Sequence, residues 1–305
     1  MSDRIVVIGS CNTDMVINAE HLPRPGETII GGNFFMNAGG KGANQAVAAA
    51  RLGGKVSFLA KVGNDHFGSS SIEQYKAEGI DVEHITVDGE LPSGVALIMV
   101  DGNGENCIAV ASGANAALSP GDVDKAEEVI EQGDIVLMQL ETPIDTVTYA
   151  AHMAHAKGKK VILNPAPALP LPESLFEHLY MIIANETEAE FISGVKITDM
   201  ESVCRAADII GEKGVGNVVV TLGSQGVFVK ENGAYHKVPA HRVKAVDATA
   251  AGDTFCGAMC VALAEKKSIL QAVEFANKCA AVTVTRMGAQ SSLPRRSEID
   301  SLPFS

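Results

Sequence analysis

The feature that most constrains the fold is the alternation of short apolar runs with longer helical patterns along most of the chain. Six nearly continuous apolar runs have the character of strands buried on both faces: residues 5–8, 56–59, 135–138, 161–163, 181–184 and 218–222. Helical patterns occur between them at residues 43–52, 123–132, 143–157 and 202–213. Such connections suit crossover helices, so the sequence predicts an α/β domain with a doubly wound, mostly parallel sheet flanked by helices.

Two regions interrupt this alternation and have no room for a crossover helix. In the first, the apolar runs 15–17 and 28–30 flank a turn-forming segment with two prolines, and residues 93–112 have the pattern of a hairpin. We predict that residues 13–37 and 93–112 form a small antiparallel β lid that covers a cleft and offers a dimer contact. The core then comprises residues 1–12, 38–92 and 113–305. The alternative is that the two regions are edge strands of the main sheet.

Composition argues against several classes of function. The net charge of −13 argues against a nucleic-acid partner, because binding the phosphate backbone needs concentrated Lys and Arg. The apolar runs are far shorter than the ~20 residues that span a bilayer, and no signal-peptide pattern is present, so we expect a cytoplasmic protein without a membrane partner. The six cysteines form no CxxC pair and are expected to be reduced and mostly buried.

Residues 247–255 carry the clearest chemical implication. Apolar residues repeat at helical spacing after this segment, so Ala250, Ala251 and Gly252 occupy a helix N-terminus with an inward apolar stripe. Small residues leave their amides accessible to an anion, which the helix dipole also attracts. Asp253 is then placed to orient and deprotonate a hydroxyl that attacks a phosphoryl group, and the dipole is expected to lower its pKa. An Asp that only stabilises the helix start is the alternative.

A second candidate segment, residues 37–45, has three glycines in four positions before an alanine-rich helical pattern. It lacks the GxxxxGK[ST] spacing of a Walker A loop, and no Ser or Thr follows Lys41 to hold Mg²⁺. Close approach of the backbone to a ligand and a tight structural turn explain this pattern equally well.

Polar residues follow several predicted strands at the point where each strand ends. They are Asn12, Asp14, Glu141, Asn185, Glu188 and the segment 221–226. Ligands of open α/β sheets bind outside the carboxyl ends of the strands, so we expect these residues to converge on one site. A single residue of this kind is usually only a helix cap, but residues at several strand ends together favour a ligand site.

Taken together, these segments resemble the ribokinase-like family of sugar and nucleoside kinases over essentially the whole chain. The resemblance rests on Gly9, Ser10, Asn12 and Asp14 and on segments 25–28, 39–45, 185–188, 221–226, 247–255 and 285–290. It implies transfer of the ATP γ-phosphoryl group to a sugar, expected to be D-ribose at its 5-hydroxyl. It also implies Mg²⁺ and K⁺ as cofactors and a homodimer formed through the lid.

The resemblance also implies roles for individual residues. The sugar-binding positions are Asn12, Asp14, Gly40, Lys41, Gly42, Asn44, Glu141 and Asp253. Asp253 is the catalytic base, and the anion hole comprises Ala250, Ala251 and Gly252. Nucleotide contacts are implied for Asn185, Thr221, Gly223, Ser224, Gly226, Gly252 and Asn277, where some members have His in place of Asn277. Asn185 and Glu188 form the NxxE motif that organises Mg²⁺ and its waters. A monovalent-cation site is implied at Asp247, Thr249, Thr283, Arg286, Gly288 and Ser292.

Three other functions fit parts of the pattern. The first is a kinase for another sugar, for deoxyribose or for a nucleoside, although the amides and carboxylates at the strand ends suit a polyol better than an aromatic base. The second is a sugar-binding regulator without the chemistry, against which Asp253, Gly252 and the NxxE pair argue. The third is a nicotinamide-dependent oxidoreductase, but no GxGxxG follows the first strand.

Overall fold

A nine-stranded sheet organises most of the chain in the computed structural model, which describes residues 3–302. In spatial order its strands are β13 (Ala234–Val238), β12 (Val227–Glu231), β11 (Asn217–Thr221), β10 (Met181–Asn185), β9 (Lys160–Leu163), β8 (Ile135–Met138), β1 (Arg4–Ile8), β4 (Lys55–Gly63) and β5 (Ile85–Asp88). Neighbours from β11 to β5 pair in parallel, whereas β12 and β13 pair antiparallel at one edge. The predicted mostly parallel sheet is confirmed.

Helices cover both faces of this sheet. They are α1 (Lys41–Arg51), α2 (His66–Ala77), α3 (Pro120–Lys125), α4 (Glu127–Gln132), α5 (Ile144–Ala156), α6 (Glu173–Phe176), α7 (Glu186–Ser193), α8 (Met200–Glu212), α9 (Ala251–Ala264), α10 (Ile269–Thr283) and α11 (Arg296–Ser301). One buried cluster joins α1, α9 and α10 to one face, and a second joins α5 and α8 to the other. The apolar strand runs have this pattern because both faces are buried. No helix within residues 3–302 has the length and apolar character needed to cross a membrane.

The helix that carries Asp253 differs from its prediction. Instead of one apolar stripe, α9 has buried residues on all sides from Asp253 to Ala264. It is packed against both α1 and α10, and Gly257 allows the close approach to α1, because a Cβ there would lie 2.8 Å from the carbonyl oxygen of Gln45. A helix enclosed in this way needs small and apolar residues around its whole circumference.

Two further local predictions were wrong. The single helix predicted over residues 123–132 is two short helices, α3 and α4, separated at Ala126. The apolar run 28–30 is not a strand, and Ile30 is 99% exposed. Gly31 and Gly32 follow it with positive φ angles of 116° and 98°, so the extended chain is interrupted before the strand begins at residue 33.

A second sheet, separate from the first, contains four strands and is called the small sheet below. Its order is β3 (Asn33–Gly39), β2 (Asn12–Asn18), β6 (Gly94–Val100) and β7 (Asn106–Ala111). The pairs β2–β3 and β6–β7 are antiparallel, and β2–β6 is parallel. The predicted hairpin is therefore confirmed, and the alternative of edge strands on the main sheet is wrong.

The chain crosses between the two sheets four times, and all four crossings lie beside one residue. Strand β2 begins four residues after β1 ends, and its first residue, Asn12, pairs with Gly39 at the end of β3 and with Gly94 at the start of β6. The fourth crossing follows β7, where the carbonyl oxygen of Ser112 would lie 3.0 Å from a Cβ on Gly94. The junction of the sheets is therefore built around Asn12.

Candidate active site

The glycine-rich segment before α1 packs directly on the segment that follows β1. Gly40 has a φ of 88°, and a Cβ on it would lie 2.8 Å from the backbone nitrogen of Asn12. A Cβ on Gly42 would lie 2.5 Å from the backbone nitrogen of Ser10. Glycine is required at both positions because another backbone occupies the space of a side chain. This packing brings Lys41 and Asn44 to the carboxyl ends of the central strands.

Asp253 lies in the first turn of α9, is 7% exposed and is held by two side-chain amides. Asn44 Nδ2 donates to its Oδ2 at 2.9 Å, and Gln45 Nε2 donates to its Oδ1 at 3.0 Å. Burial raises the pKa of Asp253 above its ordinary value, although the charge of Lys41 and the two amide hydrogen bonds act to lower it. The expectation that the helix dipole would lower this pKa was wrong, because enclosure of the carboxyl outweighs it.

Lys41 supplies positive charge among three carboxylates. Burial acts to lower the pKa of Lys41, but the charges of Asp253, Glu141 and Glu188 raise it above its ordinary value, so the ammonium group stays charged. Glu141 Oε2 accepts a hydrogen bond from Ser10 Oγ at 2.5 Å and from the Lys41 backbone amide at 2.9 Å. The carboxylate of Glu141 thereby ties the glycine-rich segment to the segment after β1.

A cavity of about 340 Å³, here called the Asn12 cavity, lies between the small sheet and the main sheet. Asn12, Asn115, Glu141 and Val110 are part of its lining. Asn12 is 4% exposed, so its amide is enclosed apart from the side that faces this cavity. The predicted sugar-binding residue Asn12 therefore contributes polar groups to a space large enough for a small ligand.

Asp14 lies two residues further along β2, on the same face of the strand as Asn12. Burial raises the pKa of Asp14 to about 6, and the charges of Glu141 and Asp253 act in the same direction. Its carboxylate occupies the space beside Gly39, where an added Cβ would lie 2.3 Å from both carboxylate oxygens. Asp14 is thus held near two other acids by the pairing of β2 with β3.

A cavity of about 200 Å³, the Asp253 cavity, lies at the N-terminus of α9. Asp253, Lys41, Gly252 and Ala250 contribute to its lining. Ala250 caps α9 in the left-handed conformation, with a φ of 60°, which an alanine rarely adopts. Apart from its chain neighbours and its own helix, nothing within residues 3–302 lies within 4 Å of the position that a Cβ on Gly252 would take, so this first turn borders open space. The arrangement suits an anion at the helix N-terminus.

Asn185 and Glu188 line the same cavity and hold each other in a reciprocal helix cap. Asn185 Oδ1 accepts from the Glu188 amide at 2.8 Å, and Glu188 Oε2 accepts from the Asn185 amide at 2.9 Å. Burial raises the pKa of Glu188 above its ordinary value, while the Asn185 hydrogen bonds and the charge of Lys41 oppose this effect. A cation placed near Glu188 would favour its ionised form.

A third cavity of about 350 Å³, the Asn277 cavity, continues from the Asp253 cavity. Six of the seven predicted nucleotide contacts line it: Thr221, Gly223, Ser224, Gly226, Gly252 and Asn277. The seventh, Asn185, lines the Asp253 cavity instead. Apolar side chains such as Phe255 and Val284 form much of the remaining wall. The two cavities share Thr221, Ala248 and Gly252, so a ligand of sufficient length can extend from one into the other. Asn277 Nδ2 donates to the Pro239 carbonyl at 2.7 Å, which orients its amide.

The residues implied in a cation site lie in segments that are hydrogen-bonded to each other, since the Asp247 amide donates to the Val284 carbonyl, next to Thr283. Asp247 Oδ1 accepts from the Thr249 amide and Oδ2 accepts from the Gly288 amide, both at 2.9 Å, which joins the two segments. Ser292 lies in the second segment and donates through Oγ to the Ala289 carbonyl.

Two other residues implied in this site have their side chains engaged elsewhere. The Thr283 hydroxyl is buried and lies 2.8 Å from the Thr254 hydroxyl, and the Arg286 guanidinium is paired with Glu298 on α11. In the part of the chain that the structure describes, no group of three His, Cys, Asp or Glu residues is poised around a metal ion. Any cation here would depend largely on backbone carbonyls beside Asp247.

Sequence reasoning gave no individual role to a buried amide network behind the site. Gln45 Nε2 contacts Asn164 Oδ1 at 3.0 Å as well as Asp253, and Gln139 Nε2 donates to Gln45 Oε1 at 2.6 Å. Gln45 belongs to the glycine-rich segment, which was a usable signal. Asn164, Gln139 and Asn115 have no local pattern that distinguishes them from other polar residues after strands.

Comparisons with known proteins match this chain over nearly its whole length. The family described as pfkB family carbohydrate kinase matches residues 2–296. A ribokinase from Haemophilus influenzae is 46% identical over 298 residues, which cover 98% of this chain and 97% of that protein. A deoxyribokinase from Salmonella typhimurium is 38% identical over 291 residues, which cover 95% of each protein. The solved structure of Arabidopsis thaliana ribokinase complexed with ribose and ATP is 32% identical, with a TM-score of 0.93 and full coverage of both chains.

Proposed function

This chain belongs to the pfkB family of carbohydrate kinases, and we propose that it transfers the γ-phosphoryl group of ATP to the 5-hydroxyl of D-ribose. The products are ribose 5-phosphate and ADP. One observation carries the proposal: Asp253 lies at the N-terminus of α9 in the wall of a cavity rich in polar groups, and this cavity continues into a second one with apolar walls. A sugar and an adenine nucleotide have the matching properties.

Asp253 acts on the attacking hydroxyl. The 5-hydroxyl oxygen forms a bond to the γ-phosphorus, the bond from that phosphorus to the bridging β-phosphate oxygen breaks, and the hydroxyl proton passes to Asp253. The amide hydrogen bonds from Asn44 and Gln45 hold the carboxylate in one orientation for this transfer. An elevated pKa makes Asp253 a stronger base than an exposed aspartate.

The N-terminus of α9 stabilises the charge that spreads over the transferred group. Ala250 and Gly252 line the Asp253 cavity, and their small size leaves room for phosphate oxygens at the helix N-terminus. The Ala251 amide donates to the Ala248 carbonyl at 3.2 Å, so it would have to give up this hydrogen bond to join the anion hole. The charged ammonium of Lys41 lines the same cavity and adds positive potential. Apart from the Ala251 amide, these groups are in place before the reaction, so little reorganisation is required.

Asn185 and Glu188 suit a hydrated Mg²⁺ ion. A buried carboxylate beside an amide offers the oxygen ligands that Mg²⁺ prefers, and the ion usually retains several waters. When bound, Mg²⁺ neutralises charge on the nucleotide phosphates. The proposed K⁺ site is supported by Asp247, whose carboxylate accepts hydrogen bonds from the amides of Thr249 and Gly288 and so joins the two segments next to α9.

The polar groups of the sugar-binding residues support ribose as the acceptor. Asn44 Oδ1 is buried and has no hydrogen-bond partner among residues 3–302, so a ligand hydroxyl is a suitable donor for it. Asn12 and Asp14 add further donors and acceptors. A site built for a hydroxyl rejects an analogue that lacks it, because buried polar groups are left unpaired. The deoxyribokinase relative nevertheless makes 2-deoxyribose the second candidate acceptor.

A coupled assay of ADP release across ribose, 2-deoxyribose, other pentoses, hexoses and nucleosides tests the proposal. We expect the highest kcat/KM with ribose, at least ~10-fold above 2-deoxyribose. The Asp253→Asn variant serves as the background control. A higher kcat/KM with 2-deoxyribose, another sugar or a nucleoside would transfer the assignment to that acceptor, and no turnover of any sugar would leave only a binding function.

We also propose that two copies of this chain associate through the small sheet. Its pairing register places Ile17, Phe34, Met36 and Leu97 on the face opposite to Asp14, and all four are exposed. An exposed apolar sheet face of this kind is typical of protein–protein contacts. The two copies would then cover each other's apolar residues while both active sites remain complete.

A further inference from the structure

Asn115, a buried asparagine to which the sequence assigned no role, contacts Asn12 through an amide that can face only one way. Asn115 lies in the short 3₁₀ turn Gly113–Ala117 that follows β7, and it is 1% exposed. Its Oδ1 accepts from the Cys11 backbone amide at 2.9 Å, and its Nδ2 donates to the Cys11 carbonyl at 3.0 Å. The second Nδ2 hydrogen is directed at Asn12 Oδ1, 2.8 Å away.

The backbone of Cys11 fixes which way both side-chain amides face. A backbone N–H can only donate and a carbonyl can only accept, so rotating the Asn115 amide by 180° would create two repulsive contacts with Cys11. The amide of Asn115 is therefore held in one orientation and presents a hydrogen to Asn12. Asn12 must accept this hydrogen bond through Oδ1, so its Nδ2 is the group available to a ligand in the Asn12 cavity.

Packing encloses this pair from the side of the small sheet. A Cβ on Gly94 would lie 2.2 Å from Asn12 Oδ1 and 2.3 Å from Asn115 Nδ2. Only glycine leaves the two amides in contact at this position. The absence of a side chain at Gly94 therefore lets Asn12 Oδ1 and Asn115 Nδ2 stay in contact, and the hydrogen bond between them decides which way the Asn12 amide faces.

We propose that Asn115 is a positioning residue for sugar specificity, since it makes Asn12 a hydrogen-bond donor toward the substrate. This inference rests on the proposed sugar kinase function and names a determinant of its acceptor. With Asn12 Nδ2 as donor and the Asp14 carboxylate as acceptor on the same strand face, the preferred partner is a hydroxyl that both accepts and donates. A ring position without oxygen satisfies neither group.

The test compares kcat/KM for ribose and for riboses that lack one hydroxyl each, in wild type, Asn12→Leu and Asn115→Asp. Removing the hydroxyl that Asn12 contacts should lower kcat/KM strongly in wild type and only slightly in Asn12→Leu. In Asn115→Asp, an oxygen replaces the Nδ2 group that donates to both Asn12 and the Cys11 carbonyl. Asn12 then turns its own amide and presents Oδ1 to the sugar, and the contact with the Cys11 carbonyl becomes repulsive. We expect about 10-fold lower kcat/KM for ribose, little change for the analogue without that hydroxyl, and an unchanged KM for ATP.

Two further variants make the outcome decisive. Gly94→Ala forces a Cβ against both amides and breaks the contact between Asn12 and Asn115 without changing either residue, so it should also remove the preference for that hydroxyl even if Asn115→Asp does not fold. Asn103→Asp introduces the same change at an exposed position in the turn between β6 and β7 and should leave all values unchanged. Parallel losses for every sugar and for ATP, or an intact hydroxyl preference in both Asn115→Asp and Gly94→Ala, would overturn the inference. Failure of the wild type to phosphorylate ribose would instead contradict the proposed function.

Discussion

Replacement of Asp14 by asparagine tests how much folding stability is lost by burying an ionised carboxylate in the site. The pKa of Asp14 is raised from an ordinary 3.8 to about 6, first by burial and then by Glu141 and Asp253. The folded state therefore binds this proton more tightly than the unfolded state does. As the pH rises from about 4 to about 6, the unfolded state loses the proton first, so stability falls over this range and levels off above it.

The size of this loss of stability follows from the change in the pKa of Asp14. About two pKa units correspond to about 3 kcal/mol, and partial exposure of Asp14 reduces the expected value to about 1–3 kcal/mol. Without bound sugar, the Asp14→Asn variant should thus have a larger free energy of unfolding than wild type at pH 8. Near pH 4 Asp14 is neutral in the folded state and about half ionised in the unfolded state, so most of the difference should be gone.

Urea unfolding at pH 5 and pH 8, followed by circular dichroism, measures this effect. Glu105→Gln removes an exposed carboxylate from the turn of the small sheet and is the matched control. The same Asp14→Asn variant should lose at least 10-fold in kcat/KM for the sugar, because a charged acceptor for hydroxyl groups is removed. If Asp14→Asn is no more stable than wild type at pH 8, or if its advantage is equal at both pH values, the electrostatic reasoning is wrong.

Three other predictions concern the chemistry and the assembly. Asp253→Asn should lower kcat by about 10²–10⁴-fold with little change in sugar KM, and a variant that kept half of wild-type turnover would contradict the role of base. Rates should be higher in K⁺ than in a buffer whose cation is a bulky organic ion, chiefly in kcat, because a filled site fixes the segment that holds Asp247. Equal rates would exclude the cation. Phe34→Asp combined with Leu97→Asp should convert a dimer into a monomer in sedimentation velocity, and a monomeric wild type would refute association through the small sheet.

The sequence predicts the six central strands of the main sheet well because burial on both faces leaves a local trace, whereas β5, β12 and β13 at its two edges were not predicted. Strand β8 covers the predicted residues 135–138, and the neighbouring strands differ from their predicted bounds by a few residues at most. The run 28–30 failed for the opposite reason. Its residues favour strands, but pairing of β2 with β3 ends at Asn18 and Asn33, so no partner strand reaches it.

The candidate site was predictable where its residues lie together in the chain. The glycine-rich segment and the start of α9 each contain a recognisable pattern, and both line the cavities. Asn115 and Asn164 act through contacts with residues more than a hundred positions away, and no local pattern reveals them. The direction of the Asp253 pKa shift also depends on burial by distant segments, whereas the helix dipole is local.

Because all four crossings lie beside Asn12, exchanging the small sheet between related proteins should also change which sugar is preferred. Asn12 pairs with Gly39 and Gly94 at the junction of the sheets and also lines the Asn12 cavity, so the same backbone pairs fix the position of the small sheet and of the Asn12 amide. Transplanting the small sheet from a relative would exchange Asn12 together with Gly39 and Gly94, and we expect it to carry part of that relative's sugar selectivity. In a chimera of two relatives, the preferred sugar should therefore match that of the protein that supplied the small sheet more closely than that of the protein that supplied α9.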